Sequence, residues 1–292
     1  MSSSIKAVLK PHQRDIGNLY VRRVLPAMAA RLVGPFIDHM GPATLAPGAG
    51  VDVRPHPHIG LATVTYLFDG ALMHRDSIGS AQKIVPGDVN WMTAGRGIVH
   101  SERTPDEARQ TGFTMHGIQT WVALPLEHED TEPSFFHHAA DMLPNLERNG
   151  VSMRVIAGTA FGATSPVATF SGTLYVAADF APGGTIALDA EHEERGVYLV
   201  EGDLSIDGTP LEQYTMAVLE PGETVTLAST GGARVMLLGG EKLAGERFIE
   251  WNFVASSREK IEAAKHAWTR QEMGHVPGET EWIPLPEKKP QH

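Results

Sequence analysis

Short apolar and β-branched runs recur along the chain, and each ends at a glycine or proline. Ala62-Thr63-Val64-Thr65-Tyr66-Leu67-Phe68 runs into Asp69-Gly70, a strong hairpin-turn signal. Val89-Asn90-Trp91-Met92 follows the turn Pro86-Gly87-Asp88, and Ile98-Val99-His100 follows Gly95-Arg96-Gly97. Gly117 to Leu124 and Val151 to Ala157 read as further strands, and Val21 to Leu25 as an earlier one ended by Pro26. The apolar pair Phe36-Ile37 stands between Gly34-Pro35 and Gly41-Pro42, and Ala46 to Gly50 reads as a turn. Residues 125 to 150 are polar, carry Pro125, Pro133 and Pro144, and read as a loop. Many short strands separated by glycine turns predict antiparallel barrels or sandwiches.

The pattern then repeats. Val197-Tyr198-Leu199-Val200-Glu201-Gly202-Asp203 echoes Tyr66-Leu67-Phe68-Asp69-Gly70, and Pro221-Gly222-Glu223 echoes Pro86-Gly87-Asp88. Matching landmarks in matching order predict two copies of one fold. Gly158 to Gly172, rich in Gly, Ala, Thr and Ser, reads as the hand-over, giving domains 1–157 and 158–292. Near the end, Ser256 and Glu259 fit a helix-capping box, Ile261, Ala264 and Trp268 share a helical face, and Gly274 offers a stop. Pro277, Pro284, Pro286 and Pro290 predict an extended tail. The expected class is mainly β: two antiparallel β-barrel (jelly-roll) domains with a C-terminal helix.

Composition narrows the picture. With 292 residues the chain is long enough for two domains, and 30 glycines and 20 prolines suit short strands. The net charge of −11, with Arg22-Arg23 and Lys288-Lys289 the notable basic pairs, argues against direct nucleic-acid binding. Cysteine is absent, which removes disulfides, thiolate metal sites and cysteine nucleophiles. Residues 1–10 lack the apolar run of a signal peptide, and no stretch approaches the ~20 apolar residues of a membrane span. A cytoplasmic protein without membrane contact is expected.

The candidate chemistry lies between residues 54 and 102. His56-Pro57-His58 and His100-Ser101-Glu102 are two i, i+2 pairs, and in a strand such pairs point to one face. Neighbouring strands carrying them would aim three imidazoles and a carboxylate at one point. That donor set suits iron(II), manganese, nickel, cobalt or zinc. Imidazole must be neutral to ligate, so affinity should fall as pH passes below the histidine reference of about 6.5. Of the remaining histidines, His74 and His116 are assigned to hydrogen bonds with ligands or backbone. His39 is expected to be structural, and His137-His138 solvated. Trp91 and Met92 alternate, so at most one faces the site, and Gln119 and Trp121 lie on a strand near it.

These residues resemble a known pattern. Gly50, His56, His58 and Gly70 match the first cupin motif G(X)5HXH(X)3-4E(X)6G, except that Thr63 stands at the glutamate position. Gly97-Ile98-Val99-His100 matches the end of the second cupin motif. The segments 54–58, 63–66, 74–77, 86–88, 90–102 and 116–121 resemble the pirin family, two-cupin (bicupin) proteins. In that family Glu102 would replace the missing glutamate. The resemblance implies one divalent metal ion, iron(II), held by His56, His58, His100 and Glu102. The second copy keeps only His192 between Gly184 and Gly202 and is expected to be a metal-free, degenerate cupin.

The resemblance further implies an oxygen-dependent dioxygenase that cleaves a flavonol such as quercetin, chelated through its 3-hydroxyl and 4-keto oxygens. Glu102 would serve as ligand and as the base for the 3-hydroxyl proton. A second reading is a metal-bearing, redox-sensing regulatory protein that binds a protein partner. A third is a cupin-type isomerase using the same ligands without oxygen.

Overall fold

A computed structural model describes residues 4–15, 19–25 and 36–287. Met1 to Ser3, Pro26, Gly34-Pro35, Lys288-Lys289 and Pro290 therefore lie outside the described residues. The chain folds into two antiparallel β units that interleave along the sequence. Among the described residues, one unit gathers segments within 15–20, 40–137 and 244–292, and the other those within 1–14, 21–39 and 138–243.

The first unit carries the histidine pairs. One sheet has the order Asp52–His58, Ile98–Arg103, Leu72–Asp76, Ala81–Ile84. The second contains Ser134–His138, Val89–Thr93, Leu61–Asp69, Phe113–Ala123 and Phe36–Leu45 in that order. Leu61–Asp69 is buried along nearly its whole length because both of its faces are covered. Across it, Thr63 stands opposite both Met92 and Trp121, so these three side chains share one face. Trp91 takes the other face, opposite Val64. Contrary to the expected loop, residues 125–150 contain the strands Ser134–His138 and Asn145–Arg148.

The other unit repeats the architecture around a different interior. An eight-stranded sheet, which includes Thr173–Phe180, Glu194–Gly202 and Ala233–Gly240, accompanies the four-stranded sheet Thr185–Leu188, Val225–Ala228, Leu204–Ile206, Thr209–Leu211. Val155, Val176, Val197, Leu199, Val235 and Leu237 belong to its fully buried apolar core. His192 meets Thr159 O at 2.9 Å, and His39, fully buried, meets Tyr198 Oη at 2.8 Å. Both histidines are held as packing elements.

The division at 157/158 differs from the observed one. Strand Val151–Ala160 runs through that point and pairs with Thr173–Phe180. The chain ends are exchanged as well. Ile5–Leu9 pairs with Met216–Leu219, whereas the C-terminal helix Arg258–Thr269 buries Ile261, Ala264 and Trp268 against Ile59, Val99, Phe253 and Ala255. Contacts this distant in sequence leave no local compositional mark.

The helix also starts one residue later than its expected cap. Ser257 is the N-cap and accepts from Lys260 N, while Ser256 N and Oγ donate to the buried carboxylate of Glu129 at 2.8 Å each. The turn closes at Gln271, which takes a positive φ of 58°, ahead of Gly274. No helix among the described residues is long and apolar enough to cross a membrane.

Trp268 is 2% exposed, and its indole N–H donates to Ile283 O at 3.0 Å. Trp268→Ala should cost about 3–5 kcal/mol of stability, the range for emptying a large aromatic site, read as a lower denaturant midpoint. A midpoint within error of the unaltered protein would show that the helix contributes nothing to the fold.

Candidate metal centre

Antiparallel pairing brings the two histidine pairs together. His100 lies directly opposite His56, and Ile98 opposite His58. The register then slips between His100 and Glu102, so Glu102 faces Val53. This irregularity re-aims Glu102 relative to strict alternation. Ligand-competent atoms of His56, His58 and His100 lie within 4.8 Å of one another. Their ring centroids are 4.4 to 5.0 Å apart. Glu102 is not a member of that group. Its Oε1 lies 3.7 Å from His100 Nδ1 and accepts from Gln119 Nε2 at 3.2 Å. Thr65 Oγ1 in turn donates to Gln119 Oε1 at 2.6 Å, fixing which way the amide points.

Two of the rings have their tautomers set by carbonyls. His56 Nδ1 meets Arg54 O at 2.9 Å, and His58 Nδ1 meets Asn252 O at 3.1 Å. A carbonyl only accepts, so each Nδ1 carries hydrogen and each Nε2 offers a lone pair. Trp121 stands edge-on to His58 with centroids 5.1 Å apart. Thr63, at the cupin glutamate position, shares the Trp121 face.

Burial sets the charges. It lowers the pKa of His56 to about 4 and holds His58 and His100 well below 6.5, so all three are neutral at pH 7. Burial raises Glu102 to about 8, so at pH 7 it is mostly a neutral acid. The pocket therefore holds three neutral imidazoles and a proton-bearing carboxyl that any cation would convert to carboxylate. His100 Nε2 is buried without a hydrogen-bond partner. An unsatisfied imidazole nitrogen beside two convergent lone pairs, with a carboxyl at their edge, fits a divalent metal ion.

The other sequence-selected histidines lie outside the cluster. His116 packs on Phe68, with Nδ1 3.7 Å from Asp69. His137, expected to be solvated, is only partly exposed, and its Nδ1 meets Asn90 Oδ1 at 2.7 Å. His74 meets both His100 and Asp76.

The C-terminal segment, read from sequence as an extended tail, supports both ligand strands from outside. Ile283 N donates to Pro55 O at 2.8 Å. Glu279 accepts from Ser101 Oγ at 2.9 Å and from Arg103 at 2.7 and 2.6 Å, so it grips the residues on either side of Glu102. Asn252, which holds His58, comes from the same end of the chain. A cleft of about 550 Å³ runs beside the C-terminal helix, lined by Ile59, Arg96, Lys260, Ala264 and Met273 among others, and none of the four candidate ligands lines it.

Comparisons with known proteins agree with this architecture. The Pirin family profile matches residues 18–122, and that of the Pirin C-terminal cupin domain matches residues 175–274. A pirin-like protein of Caulobacter vibrioides is 51% identical, covering 97% of this chain and all of that protein. Human pirin is 32% identical over 90% of this chain and 92% of its own. The crystal structure of quercetin 2,3-dioxygenase from Acinetobacter baumannii superposes with a TM-score of 0.90 at 33% identity, covering 98% of this chain and 96% of that one.

Two outcomes follow from the charges and the tail. Burial keeps the histidines neutral far below 6.5, so the loss of metal affinity on acidification should begin with Glu102 near pH 8, not with imidazole protonation. At pH 7 each ion bound should release roughly one proton, and affinity should rise with pH up to about 8 and then level. Titration calorimetry in buffers of different ionisation enthalpy counts that proton, and finding none would exclude Glu102 as its source. In the metal-free protein the sign reverses. The folded state holds an extra proton on Glu102 between pH 4.5 and about 8, so this group's contribution to stability should fall across that window, and net stability should fall between about 6.5 and 8. Below 6.5 the three histidines outweigh Glu102, because the unfolded chain takes up protons that the folded site refuses, so net stability should fall again as pH drops. Separately, Glu279→Ala should cost about 1–3 kcal/mol, the range for partly buried charge-assisted hydrogen bonds, and weaken metal binding. Unchanged melting and affinity would leave the tail without a supporting role.

Proposed function

The chain belongs to the pirin family, and from that membership we propose that it is a metal-dependent dioxygenase acting on a flavonol such as quercetin. His56, His58, His100 and Glu102 would hold one divalent ion, iron(II) by family resemblance, with manganese, nickel, cobalt or zinc compatible with the same donors. The observation that carries this reading is the buried three-imidazole cluster with a neutral carboxyl at its edge. The likeness to a quercetin 2,3-dioxygenase over nearly the whole chain supports it. When bound, the ion supplies a Lewis acid for the deprotonated substrate and an electron-transfer partner for oxygen.

The protein's own groups do the rest. The carboxyl of Glu102, poised near pH 8, suits acceptance of the 3-hydroxyl proton of a flavonol once a cation has made it a carboxylate. Gln119 holds Oε1, leaving Glu102's other oxygen for that proton. Trp121, packed edge-on to His58, would bound the space beside the ligands with an aromatic wall suited to a flat substrate.

The second reading, a metal-bearing regulator that binds a protein partner, is favoured by one observation. All four candidate ligands are at most 9% exposed. A redox-sensing ion needs no wide entrance, whereas a flavonol does.

Flavonol absorbance followed with and without oxygen, in protein loaded with iron(II), manganese, nickel or cobalt, separates the two. Under the enzymatic reading, loss is oxygen-dependent and falls about 10²–10⁴-fold in Glu102→Gln, the usual cost of removing a general base. A metal-loaded protein inert towards flavonols would transfer the assignment to the regulatory reading. Elemental analysis identifies the native ion, and His56→Ala should lose it.

A further inference from the structure

His100 differs from the other two imidazoles in what faces its Nδ1. No carbonyl stands there. Its neighbours are His74 Nδ1 at 3.4 Å and, beyond hydrogen-bond distance, Glu102 Oε1 at 3.7 Å. His74 is itself tied down. Its Nε2 lies 3.0 Å from Asp76 Oδ2, and its ring stacks on Phe135 at 4.3 Å and 15°. Asp76 is fully buried, and its Oδ1 accepts from Ile78 N at 3.1 Å and Ser80 N at 2.9 Å. The strand register builds this line, with Asp76 opposite His100 and His74 opposite Glu102.

With both imidazoles neutral, protons can be placed along it in one consistent way. An ionised carboxylate only accepts, so His74 carries its hydrogen on Nε2 and its lone pair on Nδ1. Two lone pairs cannot bond, so His100 carries its hydrogen on Nδ1. The remaining His100 nitrogen, Nε2, is the buried one with no partner. We propose that Asp76 and His74 are positioning residues that lock His100 in the Nδ1–H tautomer and so present its Nε2 lone pair to the metal. The line does for His100 what the Arg54 and Asn252 carbonyls do for His56 and His58. The inference rests on the metal-site reading only for its consequence, because the tautomer exists in the metal-free protein too.

The test uses the full chain. In Asp76→Asn the amide oxygen can keep the Ile78 and Ser80 donors while its NH₂ faces His74. That arrangement places the His74 hydrogen on Nδ1 and forces the His100 hydrogen onto Nε2. Nitrogen-15 NMR of the metal-free protein should then show His100 changed from the Nδ1–H to the Nε2–H tautomer. Cobalt(II) affinity should fall about 10- to 100-fold, the usual cost of losing a partner behind a metal-binding imidazole. His74→Phe keeps the stack on Phe135 but removes the acceptor, and should weaken cobalt(II) about 10-fold. That variant carries the test if Asp76→Asn does not fold. An unchanged His100 tautomer together with unaltered cobalt(II) affinity would overturn the proposal. If the unsubstituted protein binds no cobalt(II), the metal-site reading fails, and the NMR comparison still decides whether the line sets the tautomer.

Discussion

Three imidazoles packed within a few ångströms of one another in a barrel interior cannot be charged together, and the rest of this unit follows from that constraint. Burial keeps them neutral, and neutrality requires every ring to have a donor nitrogen with an acceptor in front of it. The acceptors come from three places: the ligand strand itself at Arg54, the C-terminal segment at Asn252, and the neighbouring strand at His74. Each partner leaves one lone pair directed away from itself. A cluster of neutral imidazoles with spare lone pairs has no favourable way to satisfy them internally, and a cation resolves that.

The second unit shows the same strand arrangement without the constraint. Its core is built of Val, Leu, Ile, Met, Ala and Phe, which pack without needing acceptors, and two of its histidines, His192 and His39, are held by Thr159 O and Tyr198. One fold with two kinds of interior separates what architecture supplies from what the site supplies. The barrel brings strands into register, and the histidine pairs and their acceptors make one of the two barrels chemically distinct.

What could be read from the sequence was whatever repeats locally. The i, i+2 histidine pairs, the turns at Gly70 and Gly87, and the strand runs announced themselves because strand periodicity is short. Gly95, standing where the cupin pattern has proline, has its reason only in three dimensions: its φ is +50° and a Cβ would sit 2.0 Å from Thr131 O. Asp76 stood inside a family-like segment, but its role carried no signal, since it depends on lying opposite His100. The cap moved from Ser256 to Ser257 because Glu129, distant in sequence, claims Ser256. The interleaved units were hidden for the same reason, as strand Ile5–Leu9 looks alike whichever sheet it joins.

The exchange of chain ends bears directly on the site. Because the C-terminal segment supplies the His58 acceptor at Asn252 and the clamp at Glu279, the ligand strands Asp52–His58 and Ile98–Arg103 are complete only when residues some 150 or more positions later have docked. Residues later in the chain therefore help to set the geometry of strands that come much earlier. Without the C-terminal segment, His58 lacks the carbonyl that fixes its tautomer, and Ser101 and Arg103 lack the carboxylate that ties down the residues on either side of Glu102. A metal held at this site and docking of the C-terminal segment would therefore stabilise each other through the same hydrogen bonds.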